Sequence, residues 1–177
     1  MGVTTEFSRV ERLDTIGGED RAVTIAADAD ERAALARRFD LVAVERLAGA
    51  FAVRRDPAGV LVSGTVRADV VQACSVTGDP LPATIDEPVA LRFVAPSAGG
   101  DDEIELGGDS IDTVELEGGG VDLGEVAAET MALALDPFPR SPRAEAVLRV
   151  AGVLSEEEAG PFGALAGLKA KLAAPKD

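Results

Sequence analysis

Val60-Leu61-Val62-Ser63-Gly64-Thr65-Val66-Arg67-Ala68-Asp69-Val70-Val71-Gln72-Ala73-Cys74-Ser75-Val76 is the stretch from which the rest of the chain can be read. Its even positions are Val60, Val62, Gly64, Val66, Ala68, Val70, Gln72, Cys74 and Val76, and the odd positions between them include Ser63, Thr65, Arg67, Asp69 and Ser75. Successive side chains of an extended chain point to opposite faces, so this alternation predicts one long strand with a buried and a wet face. At about 3.3 Å per residue it would span roughly 50 Å if straight, too long for a flat strand in a small domain. Gly64 is therefore expected to mark a bend or a bulge.

Partners for this strand lie on both sides of it in the chain. Leu41 to Arg55 reads as a strand with Leu47, Gly49, Phe51 and Val53 on one face, and Asp56-Pro57-Ala58-Gly59 is the turn that joins the two. Thr77-Gly78-Asp79-Pro80-Leu81-Pro82 supplies the next turn, because Gly permits positive φ and Pro fixes φ and removes a donor. The return strand runs through Ala83 to Phe93 with Ile85, Val89, Leu91 and Phe93 on one face, and Pro88 assigns it an edge position or a bulge.

Nearer the N-terminus, Phe7 to Ile16 and Arg21 to Ala27 read as short strands around Gly17-Gly18. Asp28 followed by Glu31 is an N-cap with its capping-box carboxylate, opening a helix from Ala29 to Phe39 with Leu35 and Phe39 one turn apart. Beyond the central strands, Phe93 through Pro139 holds no Lys or Arg and twelve Asp and Glu. Within it, 96–121 is expected to be an acidic, Gly-rich loop carrying a short strand from Ile111 to Leu116. Asp122, with Glu125 three residues on, opens the best helix of the sequence: Leu123, Val126, Ala127, Thr130, Met131 and Ala134 recur at 3.6-residue spacing. Asp136-Pro137-Phe138-Pro139 stops it. From 144 to 177 a helical tail is expected, with a turn or two over Ala144–Val150 and a short helix from Pro161 bearing Phe162, Leu165, Ala166 and Leu172. Two glycines make that last helix marginal in isolation.

The expected architecture is α+β: a mainly antiparallel, strongly curved sheet that could close into a partial barrel, one long helix packed on it, and the tail. Residues 1–143 form the single domain of this reading.

Composition removes several functions. Seventeen basic residues against 32 acidic ones give −15, which repels phosphate backbones and favours a cationic partner. Without any His the usual base near neutral pH and the commonest metal ligand are missing. One Cys forms no internal disulfide and no Cys-based zinc site. Cys74 falls on the inward face, with Asp79 expected to raise rather than lower its pKa, so it reads as a small buried hydrophobe. Asp101-Asp102-Glu103-Ile104-Glu105 lacks the spaced ligands and central Gly of a calcium loop. Carboxylates without Trp or Tyr give no glycosidase signal, and the glycines match no phosphate loop. No apolar run approaches the ~20 residues that span a bilayer, and the opening residues carry neither a signal pattern nor, with Glu6 in place of Ser or Thr, a myristoylation motif. The expectation is a cytoplasmic, non-enzymatic protein with no cofactor and no bound metal.

Four stretches in order carry a resemblance. They are Val66-Arg67-Ala68-Asp69-Val70-Val71-Gln72-Ala73-Cys74; Val121-Asp122-Leu123 at a helix start; Leu133-Ala134-Leu135-Asp136-Pro137-Phe138-Pro139; and Pro161-Phe162-Gly163-Ala164-Leu165-Ala166-Gly167-Leu168-Lys169. Together they resemble the YceD family, the large ribosomal RNA subunit accumulation proteins, from about Val60 to Lys169. Gly160 and Gly163 stand where the family's closing signature has Asn and Ala. Many members carry Cys-x-x-Cys at the hairpin; Thr77 replaces the second Cys, so a metal site does not extend to this chain.

The resemblance implies a role in accumulation of 23S ribosomal RNA, and family genes commonly neighbour that of the small zinc-ribbon ribosomal protein L32. The expectation is therefore a ribosome-biogenesis factor that binds a basic protein partner, L32 or another large-subunit assembly component. The candidate partner-binding residues are Asp101, Asp102, Glu103 and Glu105 in the acidic loop and Phe162, Leu165, Leu168 and Lys169 in the tail. The alternative is direct binding of ribosomal RNA through Arg37, Arg38, Arg54, Arg55 and Arg67, which no aromatic platform accompanies.

Overall fold

The computed structural model describes residues 6–96, 111–116 and 118–153. In chain order these form β1 (Val10–Arg12), a 3-10 turn (Leu13–Thr15), β2 (Arg21–Ala26), α1 (Ala29–Arg38), β3 (Ala43–Asp56) and β4 (Gly59–Ala73). They continue with β5 (Pro80–Val94), β6 (Asp112–Glu115), β7 (Gly120–Asp122), α2 (Leu123–Leu133) and α3 (Ala144–Val150). The chain divides into two compact units, Met1–Gln72 with Pro82–Pro137, and Ala73–Leu81 with Phe138–Asp177.

The first unit is built on a five-stranded sheet in the order β2-β3-β4-β5-β6. β2 pairs with β3, and β3 with β4, antiparallel, whereas β6 lies parallel to the end of β5. Closure into a barrel does not occur. The two remaining strands, β1 and β7, pair with each other as a separate antiparallel ribbon, leaving β2 and β6 as the ends of an open sheet.

The alternation in β4 has the predicted consequence: Val60, Val62, Val66, Ala68 and Val70 are all 0–1% exposed. Gly64 is not a bulge. The register with β3 runs through Phe51↔Gly64 without a shift, and the irregularity lies between Val44 and Arg46, where Glu45 is the extra residue. Glycine is needed at 64 for a different reason: a Cβ there would run into the Ala50 carbonyl oxygen on β3. The turn between these strands is held by Asp56, whose Oδ1 accepts from the amides of Ala58 at 2.8 Å and Gly59 at 3.1 Å, with Gly59 at φ +146°. Pro88 keeps an edge position, since β6 covers only Leu91–Val94 of β5.

α1 starts with the full capping box. Asp28 Oδ1 accepts from the Glu31 amide at 2.9 Å, and Glu31 Oε2 accepts from the Asp28 amide at 2.8 Å. It ends in a Schellman turn: the Leu41 amide donates to the Ala36 carbonyl at 2.9 Å across Asp40, which takes φ +53°.

α2 buries Leu123, Val126, Ala127, Ala128 and Met131 in one core with Leu47, Phe51, Val62, Val66 and Phe93 of the sheet. Its cap is one-sided, without the reciprocal bond that Glu31 makes in α1. Asp122 Oδ1 accepts from the amides of Gly124 at 3.0 Å, Glu125 at 3.4 Å and Arg9 at 2.7 Å, while Glu125 turns to Arg38. The N-terminal segment is likewise more broken than a strand from Phe7 to Ile16. After β1 the chain coils, with the Thr15 hydroxyl donating to the Arg12 carbonyl at 2.8 Å, and Phe7 and Ile16 are buried at either end. No helix among the described residues is long and apolar enough to cross a membrane.

Candidate partner-binding surface

Asp101, Asp102, Glu103, Glu105, Phe162, Leu165, Leu168 and Lys169 all lie outside the described residues. The described part of the acidic stretch contains carboxylates of two kinds. Asp112 and Glu115 are exposed on β6. Asp122 and Glu125 are structural: the first caps α2 and holds the Arg9 amide, and the second pairs with Arg38. Sequence alone does not separate these kinds, because a capping or pairing carboxylate looks like a solvated one until its partner is located.

The arginines decide the electrostatics. Among the described residues, nine of the fourteen arginines lie within 4 Å of a carboxylate: Arg9, Arg12, Arg21, Arg38, Arg54, Arg67, Arg92, Arg143 and Arg149. Three of the five needed for an RNA-binding patch are among them. Arg38 contacts Glu125 and Glu6, Arg54 approaches Asp20 at 3.5 Å, and Arg67 meets Asp86 at 3.1 Å. Arg37 and Arg55 make no ion pair among the described residues. A guanidinium already neutralised by a carboxylate adds little attraction for phosphate.

A polar cluster of the second unit surrounds the lone cysteine. Cys74 is 3% exposed, and its Sγ accepts from the Ser141 amide at 3.2 Å and the Thr77 amide at 3.4 Å. Burial pushes the thiol pKa up, but the Thr77 hydroxyl and the amides of Ser141, Thr77 and Val76 outweigh it and bring it down to about 6. The net shift is thus opposite to the rise expected from Asp79. Asp79 does not oppose the thiolate because its own charge is met by Arg143, whose guanidinium holds the Asp79 carboxyl below the usual range. The Thr77 hydroxyl has one proton, and Asp79 Oδ2 at 2.7 Å competes with Sγ for it. The amides, which have no such competitor, are the secure donors. Ser141 lies 67 residues from Cys74, a separation no local pattern bridges.

The elements from β4 through α3 are also the part of the chain that matches a known family. The model for the large ribosomal RNA subunit accumulation protein YceD matches residues 62–169. The chain belongs to the YceD family. No curated protein and no solved structure matches it. The YceD match begins inside β4 at Val62, so β1, β2, α1 and β3 precede it, while the Cys74 hairpin and α2 fall within it. Membership of YceD supports a role in ribosome biogenesis.

Proposed function

We propose that this YceD protein is a non-enzymatic ribosome-biogenesis factor that acts by binding a basic protein partner. The acidic stretch Phe93–Pro139 attracts the partner, and the apolar tail residues Phe162, Leu165 and Leu168 with Lys169 give specificity. Ribosomal protein L32 or another large-subunit assembly component is the partner this reading names. The observation that carries it is that, in a chain of charge −15, nine arginines are paired with carboxylates among the described residues, three of the five RNA-patch candidates with them.

The test is capture from native cells at low salt, with bound protein and RNA identified separately, repeated on a chain lacking residues from Ser155 onward. A basic large-subunit protein should be recovered with the full chain and lost with the truncated one, whose melting temperature stays nearly unchanged. Recovery of RNA without such a protein would reverse the reading. So would unfolding of the truncated chain, which would make the tail a structural element.

A further inference from the structure

The two ends of the sheet are finished differently. At one end, β5 carries Pro80, Pro82 and Pro88, which have no amide to offer, and β6 covers its last four residues. At the other, β2 has six residues without proline, and among the described residues no strand pairs with its outer side. The orientation of its free groups follows from the register. In an antiparallel ladder, residues that exchange both backbone bonds alternate with residues that exchange none. The Ala27 amide donates to the Leu47 carbonyl at 3.0 Å, continuing the register Ala26↔Ala48 and Ile25↔Gly49. Odd positions of β2 therefore bond to β3, and the amides and carbonyls of Ala22, Thr24 and Ala26 point along the open edge. These three residues are exposed. The Ala26 carbonyl meets the Arg9 guanidinium at 3.4 Å, which among the described residues leaves both groups of Ala22 and Thr24 and the amide of Ala26 open.

From this geometry we infer that the β2 edge is the docking site for an extended cationic segment of the protein partner, added as a sixth strand. The inference rests on the basic-partner reading and assigns it a second surface, outside the region of the family match. Charge selects the occupant. Arg21 is neutralised by Glu11 and Arg9 by Glu31, while Glu19 before the strand and Asp28 and Asp30 after it carry no ion pair among the described residues. Arg32, held on the Ala27 carbonyl at 2.7 Å, and Arg55 offset part of this locally, and the chain as a whole remains at −15. A second copy would bring the same charge and be repelled; a lysine- or arginine-rich strand is attracted. Small side chains at Ala22, Thr24 and Ala26 let a strand approach without a steric barrier.

The experiment uses the full chain and two synthetic ten-residue peptides, one alternating valine with lysine and one alternating valine with glutamate. Binding is followed by fluorescence anisotropy, and amide exchange by NMR. The lysine peptide should bind and slow exchange at Ala22 and Thr24. Thr24→Pro removes an amide that β3 does not use, so the fold is kept, and binding should weaken about tenfold or more. Thr24→Val, which retains the amide, should bind like the parent. If Thr24→Pro lowers the melting temperature, Ala22→Pro at the strand start serves in its place. Undiminished binding to the proline variant, protection at sites other than β2, or no binding of the lysine peptide would overturn the β2 assignment and leave the basic-partner reading to the capture experiment. Equal binding of the glutamate peptide would overturn both.

Discussion

Arg38 Nη1 lies 2.9 Å from Glu125 Oε2, pinning the last turn of α1 to the first turn of α2. The same nitrogen reaches Glu6 Oε2 at 3.1 Å, and the guanidinium lies over the Phe39 ring, 4.9 Å from its centroid. Each charge also sits at the favourable end of its own helix, the cation where carbonyls are unpaired and the carboxylate where amides are.

Arg38→Ala is therefore expected to destabilise the fold by roughly 1–2 kcal/mol, more than an isolated surface ion pair provides. Arg38→Lys should recover only part of this, because an ammonium cannot span Glu6 and Glu125 as a planar fork does. Urea unfolding of the three proteins checks it; equal midpoints for alanine variant and parent would show the clamp to be idle.

Met131 is fully buried where α2 meets the sheet. Met131→Asp places an unpaired charge there and should cost several kcal/mol, read as loss of the cooperative thermal transition. An unchanged melting temperature would contradict the burial of this face.

Asp40 takes φ +53° at the end of α1, a conformation that disfavours any side chain. Asp40→Gly should raise stability by about 0.5–1 kcal/mol, the relief of left-handed strain exceeding the added freedom of the unfolded chain. Asp40→Val should lower it. The opposite order in chemical denaturation would refute the assignment of strain.

Cys74 gives a pH dependence of defined sign. Its folded pKa of about 6 lies below the ordinary thiol value of ~8.5, so the thiolate's contribution is fully present above about pH 8.5 and is lost as pH falls through 6. The stability gap between parent and Cys74→Ala should accordingly shrink on going from pH 8.5 to pH 5.5. Thiolate absorbance near 240 nm should titrate with a midpoint near 6; a midpoint at 8.5 or above would mean that burial outweighs the amide donors.

Neutralising Asp101, Asp102, Glu103 and Glu105 should slow partner association more than it speeds dissociation. The parent's on-rate should fall steeply with salt, since screening shortens to ~10 Å at 0.1 M. Equal on-rates for parent and variant in surface-based kinetics would exclude steering by these carboxylates.

Features with a local physical cause were legible from sequence. Alternation placed Val60 to Val70 inside, the Asp28–Glu31 spacing placed the start of α1, and the 3.6-residue spacing chose the buried face of α2. Long-range geometry was not. The β1–β7 pairing joins two three-residue strands more than a hundred residues apart, too short to show a period. The Glu45 bulge follows from register between strands, which neither sequence displays alone. Around Cys74 the shift runs opposite to the one expected from Asp79, because Arg143, which meets the Asp79 charge, and the Ser141 amide both come from distant chain.

The hydrogen bond from the Arg9 amide to Asp122 spans 113 residues. During synthesis at roughly 5–20 residues per second, Arg9 leaves the peptidyl-transferase centre on the order of 6–20 seconds before Asp122 exists. For that interval β2, α1, β3, β4 and β5 are made in sequence while Phe7, destined to be fully buried, still lacks the start of α2. The segment around Arg9 is thus translated well before the residue that holds its amide. Through those 113 residues of synthesis the Arg9 segment is without the aspartate that later accepts from its amide, so this contact forms late in the folding of the unit.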